Sequence, residues 1–205
     1  MTSILENFWV LEGLDGAGTT TQINLLGQEL EKKGIPFFIT HEPTDNPTGK
    51  LIRRFLSGEP VVSRSTLAYA FAADRDDHLN NPVYGIRKHI ENGEVVVSDR
   101  YLFSSLAYQS IDCAPATVRM LNSLFPLPSR IIYIDTPVEA SLSRIESRGS
   151  GREIFERREY QIKVRSNYES VFSDLPDGCT LIRVDGSLGI DGIFWEIKKG
   201  LFGLD

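Results

Sequence analysis

Phe8-Trp9-Val10-Leu11-Glu12-Gly13-Leu14-Asp15-Gly16-Ala17-Gly18-Thr19-Thr20 is the stretch whose reading decides the fold. Its first four residues read as a buried strand, and a glycine-rich turn follows. From about Thr20 to Lys33, Ile23, Leu25, Leu26 and Leu30 can share one broad apolar face of a helix, which Gly34 is placed to close. Gly13 to Thr20 matches the phosphate-cradling pattern GxxxxGK[ST] at every fixed position except one: Thr19 stands where lysine is expected. The glycines permit positive φ and close backbone approach, so successive N–H groups and the helix N-terminus can hold phosphate oxygens without any side chain. Thr20 would supply a hydroxyl for Mg²⁺. From the loop alone, a strand-to-helix turn that binds nothing stays open as the alternative.

Working outward, short β-rich runs alternate with longer amphipathic ones. Strands are expected at Ile35–Thr40, Glu94–Ser98, Arg130–Asp135 and Thr180–Val184, besides the first. Helices are expected at about Thr48–Leu56, Ser65–Leu79, Tyr84–Asn92, Ala116–Leu124, Val138–Ser147, Phe155–Val171 and Ile190–Leu201. Such alternation implies an α/β fold: a five-stranded parallel sheet between helical layers, with ligands beyond the carboxyl ends of the strands. No repeat, low-complexity tract or long linker divides the chain, so residues 1–205 are expected to form one domain.

Bulk properties narrow the function. A net charge of −6 argues against a protein that coats nucleic acid. Cys113 and Cys179 form neither a CxxC nor a zinc cluster and read as reduced thiols. The N-terminus is polar, and no apolar run approaches the roughly 18 residues that span a bilayer, so a cytoplasmic protein is expected.

A second chemical signal is Val95-Val96-Val97-Ser98-Asp99-Arg100-Tyr101, an apolar strand ending in Asp-Arg at the same sheet edge as the first loop. A carboxylate there can orient Mg²⁺ or its waters, and the adjacent guanidinium can grip a phosphate in a fork. Alone, the dipeptide would more often be a surface ion pair. Here it continues through Leu102-Phe103-Ser104-Ser105-Leu106-Ala107-Tyr108-Gln109, which resembles the DRY-x-x-SS-x-AYQ stretch of thymidylate kinases.

Further segments are similar to that family in its order. Phe8 to Gln22 resembles its F-[IV]-x-x-EG-x-DGAGK-TTQ opening, and His41-Glu42-Pro43 with Pro47-x-Gly49 resembles T-[RH]-EPGGTP-x-G. Tyr69 to His78 is similar to LLFAADRAQH. Tyr133-Ile134-Asp135-Thr136-Pro137, Arg148-Gly149 with Arg152-Glu153, and Val184-Asp185-Gly186-Ser187 complete a match along nearly the whole chain. The NKxD signature of Ras-like GTPases is missing.

The resemblance implies a P-loop NTPase fold and the ATP- and Mg²⁺-dependent phosphorylation of dTMP to dTDP, a step in dTTP synthesis. It implies that Gly13, Asp15, Gly16, Ala17, Gly18, Thr19, Thr20 and Thr21 surround the ATP phosphates, and that Arg148, Asp185 and Ser187 serve the adenine. On the acceptor side it implies Asp15 at the deoxyribose 3′-hydroxyl, Phe71 on the thymine ring, and Arg75 and Arg100 at the phosphate. Glu42, Ser104, Ser105, Tyr108 and Gln109 would complete the dTMP pocket, where Gln109 can offer a donor and an acceptor to a pyrimidine edge. For Phe71 and Tyr108, the residues alone favour plain core. Thr20 and Asp99 are the expected Mg²⁺ contacts, and Asp99, Arg100 and Arg152 the catalytic residues. Relatives of this kind are commonly homodimers, for which the apolar faces around Leu67–Phe71 or Ile111–Leu124 could serve, as they could equally serve the core.

The stretch from about 144 to 158 is expected to be a lid, with Arg148 and Arg152 around a Gly-Ser-Gly hinge. A solvated helical face, its arginines paired with Glu146, Glu153, Glu156 and Glu159, is the plainer reading. Thr19 leaves three possibilities: a natural variant compensated by Arg152 or another basic side chain, an engineered inactivating change, or a protein that binds nucleotide without turnover. The other expected charges are all present, which favours compensation. A kinase for another deoxynucleotide or a nucleoside is the nearest rival.

Overall fold

The structure is a computed structural model that describes residues 3–147 and 158–203. The decisive stretch forms β1 (Ile4–Gly13) and α1 (Thr19–Lys32), and the chain continues through β2 (Phe37–His41), α2 (Pro47–Leu56), α3 (Arg64–Asn80) and α4 (Ile86–Glu91). Then come β3 (Val95–Asp99), α5 (Leu102–Asp112), α6 (Pro115–Asn122), β4 (Leu127–Asp135), α7 (Val138–Ser147), α8 (Arg158–Phe172), β5 (Thr180–Asp185) and α9 (Ile190–Phe202).

The five strands pair in the order β2-β3-β1-β4-β5, and every pairing is parallel. A parallel sheet needs cover on both faces, and the pleat supplies two apolar surfaces from near-continuous hydrophobic strands. Phe8 and Val10 of β1, Val96 of β3, and Ile131 and Tyr133 of β4 pack to one side with Leu67, Leu102, Phe103, Val164 and Tyr168. Leu11, Val95, Val97, Ile132, Ile134 and Val184 point the other way, onto Ile23, Leu26 and Leu30 of α1 and Ile193 and Ile197 of α9. The result is the three-layer arrangement expected from the sequence.

Two local features carry the site. Gly18 caps α1 with φ 96°, in the left-handed region that a side chain rarely adopts. Register pairs Leu11 with Asp99, so the glycine loop after β1 and the Asp-Arg after β3 leave the sheet at the same edge.

Differences from the expected elements have local causes. Helix α5 begins inside the Asp99–Gln109 motif and runs on to Asp112, where the sequence pattern predicts no helix; its N-cap, Tyr101, makes no side-chain capping bond, so the usual start signal is absent. Strand β2 begins at Phe37 rather than Ile35, because Ile35 N–H still closes the end of α1 on the Leu30 carbonyl and Pro36 has no N–H to give a neighbour. Most of the expected lid, and residues 155–157 of the expected Phe155–Val171 helix, lie outside the described residues.

Candidate active site

The phosphate loop is built as its sequence demands. Gly16 (φ 81°) and Gly18 (φ 96°) turn the backbone, and Ala17 N–H closes onto the Leu14 carbonyl at 2.9 Å. A Cβ at Gly16 would lie 2.6 Å from the Ser141 carbonyl oxygen, so this glycine is required by both conformation and space. Thr19 is 8% exposed and brings no charge to the loop. Beside it, Thr20 donates its hydroxyl to Asp99 Oδ2 at 2.8 Å, while Asp99 Oδ1 is buried with no hydrogen-bond partner.

A pocket runs across this edge, lined by Asp15, Gly16, Gly18, Thr19, Thr20 and Thr21 on one side and His41, Arg53, Asp99 and Arg100 on the other. It adjoins a second cavity lined by Asp15, Glu42, Pro43, Leu56, Phe71, Arg75, Arg100, Tyr101, Ser104, Ser105, Tyr108 and Gln109. All nine residues expected at the dTMP pocket line this cavity. Gln109 Oε1 is buried there without a hydrogen-bond partner.

Asp15 and Arg100 line both spaces. Arg100 Nη2 donates to Asp15 Oδ1 at 2.6 Å, its Nη1 to Ser104 Oγ at 3.1 Å, and the guanidinium lies 5.1 Å from the centre of the Tyr108 ring. Tyr108 Oη in turn accepts from Asp15 N–H at 3.1 Å. Although burial works against its charge, the Tyr108 and Asp15 side chains raise the pKa of Arg100 still further. The guanidinium is a fixed cation at the junction of the two spaces.

Arg75 is buried differently. Its Nε and Nη2 both donate to Glu42 Oε2, at 3.0 and 2.7 Å, Nη2 reaches Ser105 Oγ at 3.0 Å, and Nη1 donates to Asn122 Oδ1. The His78 ring bridges Glu42 Oε1 at 3.0 Å and Thr40 Oγ1 at 2.6 Å. Burial alone would raise the Glu42 carboxyl; the Arg75 charge and the His78 bond overcome it and hold the group below its ordinary value.

A third hollow lies on the far side of the loop, lined by Ala17, Gly18, Thr21, Gln22, Arg144, Ser147, Leu188, Gly189, Ile190 and Ile193. Asp185 and Ser187, expected at the adenine, do not line it; Asp185 Oδ1 accepts from Ser187 N–H at 2.8 Å and so shapes the turn beside it. Arg148 and Arg152 lie outside the described residues. Arg144 was read only as the start of the lid, yet its guanidinium joins the Ala17 carbonyl at 3.3 Å to the Gly186 carbonyl at 2.8 Å. Five residues for which the sequence suggested no site role bond to the lining: Glu12 and Tyr168 to Ser104, His78 to Glu42, Asn122 to Arg75 and Gln161 to Asp15. A buried polar residue inside a strand or helix gives no local signal of what it will touch.

Among the described residues, no group of three or more His, Cys, Asp or Glu could hold a metal ion by itself, and no helix is long and apolar enough to cross a membrane. Thr20 and the unpartnered Asp99 oxygen do suit a cation held mainly by a nucleotide's phosphates.

The parallel sheet, the glycine loop opening α1 and the hydroxyl–carboxylate pair beneath it define a P-loop NTPase of the phosphotransferase kind. Comparison with known proteins is specific: a thymidylate kinase family model matches residues 11–193. The chain is 41% identical over 176 residues to a "Probable thymidylate kinase" of Pyrococcus horikoshii, covering 83% of this chain and 84% of that protein. It is also 41% identical over 181 residues to a "Probable thymidylate kinase" of Thermococcus kodakarensis, covering 83% and 86%. A Leptospira borgpetersenii "Thymidylate kinase" is 36% identical over 192 residues, 92% of this chain and 90% of that one. The chain belongs to the thymidylate kinase family.

Proposed function

We propose that this chain transfers the γ-phosphoryl group of ATP to dTMP, giving ADP and dTDP and so feeding dTTP synthesis. The observation that carries the reading is the junction: Arg100 and Asp15 belong to both the phosphate-loop pocket and the cavity lined by Phe71, Tyr108 and Gln109. Two nucleotides seated in the two spaces would meet there phosphate to phosphate.

Phosphoryl transfer asks a protein mainly to align the reactants and balance charge, and the attacking oxygen of a nucleoside monophosphate is already an anion, so no base is needed. Loop amides and the α1 N-terminus would hold the donor phosphates, and Arg100 the acceptor phosphate. Arg75 lines the acceptor cavity but not the loop pocket. We therefore place it, with Gln109, at the pyrimidine, in place of the phosphate role first expected for it. Phe71 would stack on the base and Asp15 meet the sugar hydroxyl. Thr20 Oγ1 and Asp99 would be the chain's contribution to Mg²⁺, which when bound withdraws charge from the donor phosphates.

The missing loop lysine is offset, in this reading, by guanidiniums: Arg100 and Arg53 line the loop pocket, and Arg152 would come from the segment between α7 and α8. Thr19 also supports a second reading, a protein that binds both nucleotides and turns over little. We further place the protein in the cytoplasm, in keeping with its free Cys113 and Cys179, and as a homodimer, for which the exposed Tyr69 and Leu124 offer apolar surface.

Purified protein with ATP and Mg²⁺ should form diphosphate from dTMP in preference to dUMP, dCMP, dAMP, dGMP and UMP, and should leave thymidine unphosphorylated. A different preferred acceptor would overturn the assignment of the cavity. Binding of dTMP without product would favour the second reading.

A further inference from the structure

Glu12 is a carboxylate in the middle of a sheet. It is 0% exposed, sits on β1 one residue before the phosphate loop begins at Gly13, and has no contact with either nucleotide space. Burying a carboxylate is costly unless its oxygens are satisfied, and here both are. Oε1 accepts from Tyr101 N–H at 2.9 Å. Oε2 accepts from Ser104 Oγ at 2.6 Å and from Tyr168 Oη at 2.9 Å.

Two of these donors flank Arg100. Its N–H is held by the Leu11 carbonyl at 2.9 Å and its own carbonyl by Ser98 Oγ at 2.7 Å, yet its backbone is left-handed, with φ 72°. A non-glycine residue in that region persists only where its surroundings over-determine it. The Glu12 bond to the next N–H, that of Tyr101, is part of that constraint. On the side-chain end, Ser104 Oγ donates to Glu12 Oε2 and accepts from Arg100 Nη1 at 3.1 Å, and it lies 2.9 Å from Tyr168 Oη, itself a donor to Glu12.

We propose that Glu12 is a positioning residue for Arg100: by accepting hydrogen bonds from the Ser104 hydroxyl and the Tyr101 amide, it aims the guanidinium at the acceptor phosphate. The inference rests on the reading of the two nucleotide spaces given above. Glu12 touches no substrate, and its effect passes through Ser104 and the backbone. Arg100, the residue after β3, and Tyr168 of α8 face it.

Calorimetry of dTMP and of a non-hydrolysable ATP analogue, on wild type, Glu12→Gln, Ser104→Ala and the double variant, tests this. Glutamine keeps the shape of Glu12 but removes the charge and one of the two acceptor oxygens. Each single variant should weaken dTMP about tenfold, the double variant no more than about either single one, and the ATP analogue by less than about twofold in all. A merely structural Glu12 would lower the melting temperature and leave the dTMP affinity of the folded fraction unchanged, which would overturn the proposal. So would a double variant weakened by the product of the two single effects. Should Glu12→Gln fail to fold, Glu12→Asp, which keeps the charge but draws it back from Ser104, carries the test, and dTMP binding at wild-type strength would be the contrary result. Wild-type protein that binds no dTMP would instead sink the functional reading itself.

Discussion

Thr20 gives its hydroxyl proton to Asp99 Oδ2 across 2.8 Å, tying the first turn of α1 to the end of β3. Residues 79 positions apart thus present one hydroxyl and one half-satisfied carboxylate to the phosphate loop. Asp99→Asn would keep the shape and lose the charge. We expect kcat to fall on the order of a hundredfold or more, the scale of a lost electrostatic contact in an active site, with dTMP affinity changed by less than about threefold. Steady-state kinetics with calorimetry separates the two.

Gly16 has no room for a side chain. A methyl group there would meet the Ser141 carbonyl at 2.6 Å in a conformation with φ 81°. Gly16→Ala should destabilise the fold by roughly 1–3 kcal/mol and weaken the ATP analogue more than dTMP, as thermal melts and titrations would show.

The buried pair Arg75–Glu42 predicts an asymmetric response. Arg75→Met strands the Glu42 carboxylate in the interior and should cost about 3–5 kcal/mol. Adding Glu42→Leu should recover part of that loss, because it removes the stranded charge. Denaturant unfolding of the two variants decides it; a double variant less stable than Arg75→Met would contradict the account.

The two buried glutamates should respond to pH with opposite sign. Burial lifts the Glu12 carboxyl from 4.5 to about 7, against the pull of Ser104, Arg100 and Tyr168. The folded protein then holds this proton more tightly than the unfolded chain, so the Glu12 contribution is fully present below about pH 4.5. It declines as pH rises to about 7, by on the order of 3 kcal/mol. Glu42 is shifted down, so its contribution is present above pH 4.5 and is lost as pH falls through its lower folded pKa. Unfolding free energies measured from pH 4 to 8 should lose the decline over pH 4.5–7 in Glu12→Gln and keep it in wild type.

Thr19→Lys examines compensation. If guanidiniums already supply the charge, turnover should change by less than about tenfold, whereas a lost contact of this kind can be worth about a hundredfold or more. A background-level wild type rescued by the lysine would reject compensation.

Much of this was legible in the residues. The glycine spacing and the apolar run before it suit a strand, a turn and a helix by local chemistry, and the short run of valines in β3 suits a strand covered on both faces. The lining of the Phe71–Gln109 cavity was legible through resemblance to a family, since Phe71, Arg75, Ser104 and Gln109 come from two separate helices that only the fold brings together. What stayed hidden was partnership. Nothing local says that Glu12 will accept a hydrogen bond from Ser104 92 residues away, or that Arg144 will bridge two carbonyls. That Arg100 would line both spaces and Arg75 only one was equally unreadable, because it depends on the fold around each guanidinium.

The central claim is a direct transfer between two seated nucleotides. With γ-labelled ATP, Mg²⁺ and dTMP, we predict that label enters dTDP one for one with the ADP released. ADP appearing while dTMP stays unlabelled, or no ADP at all, would contradict the account.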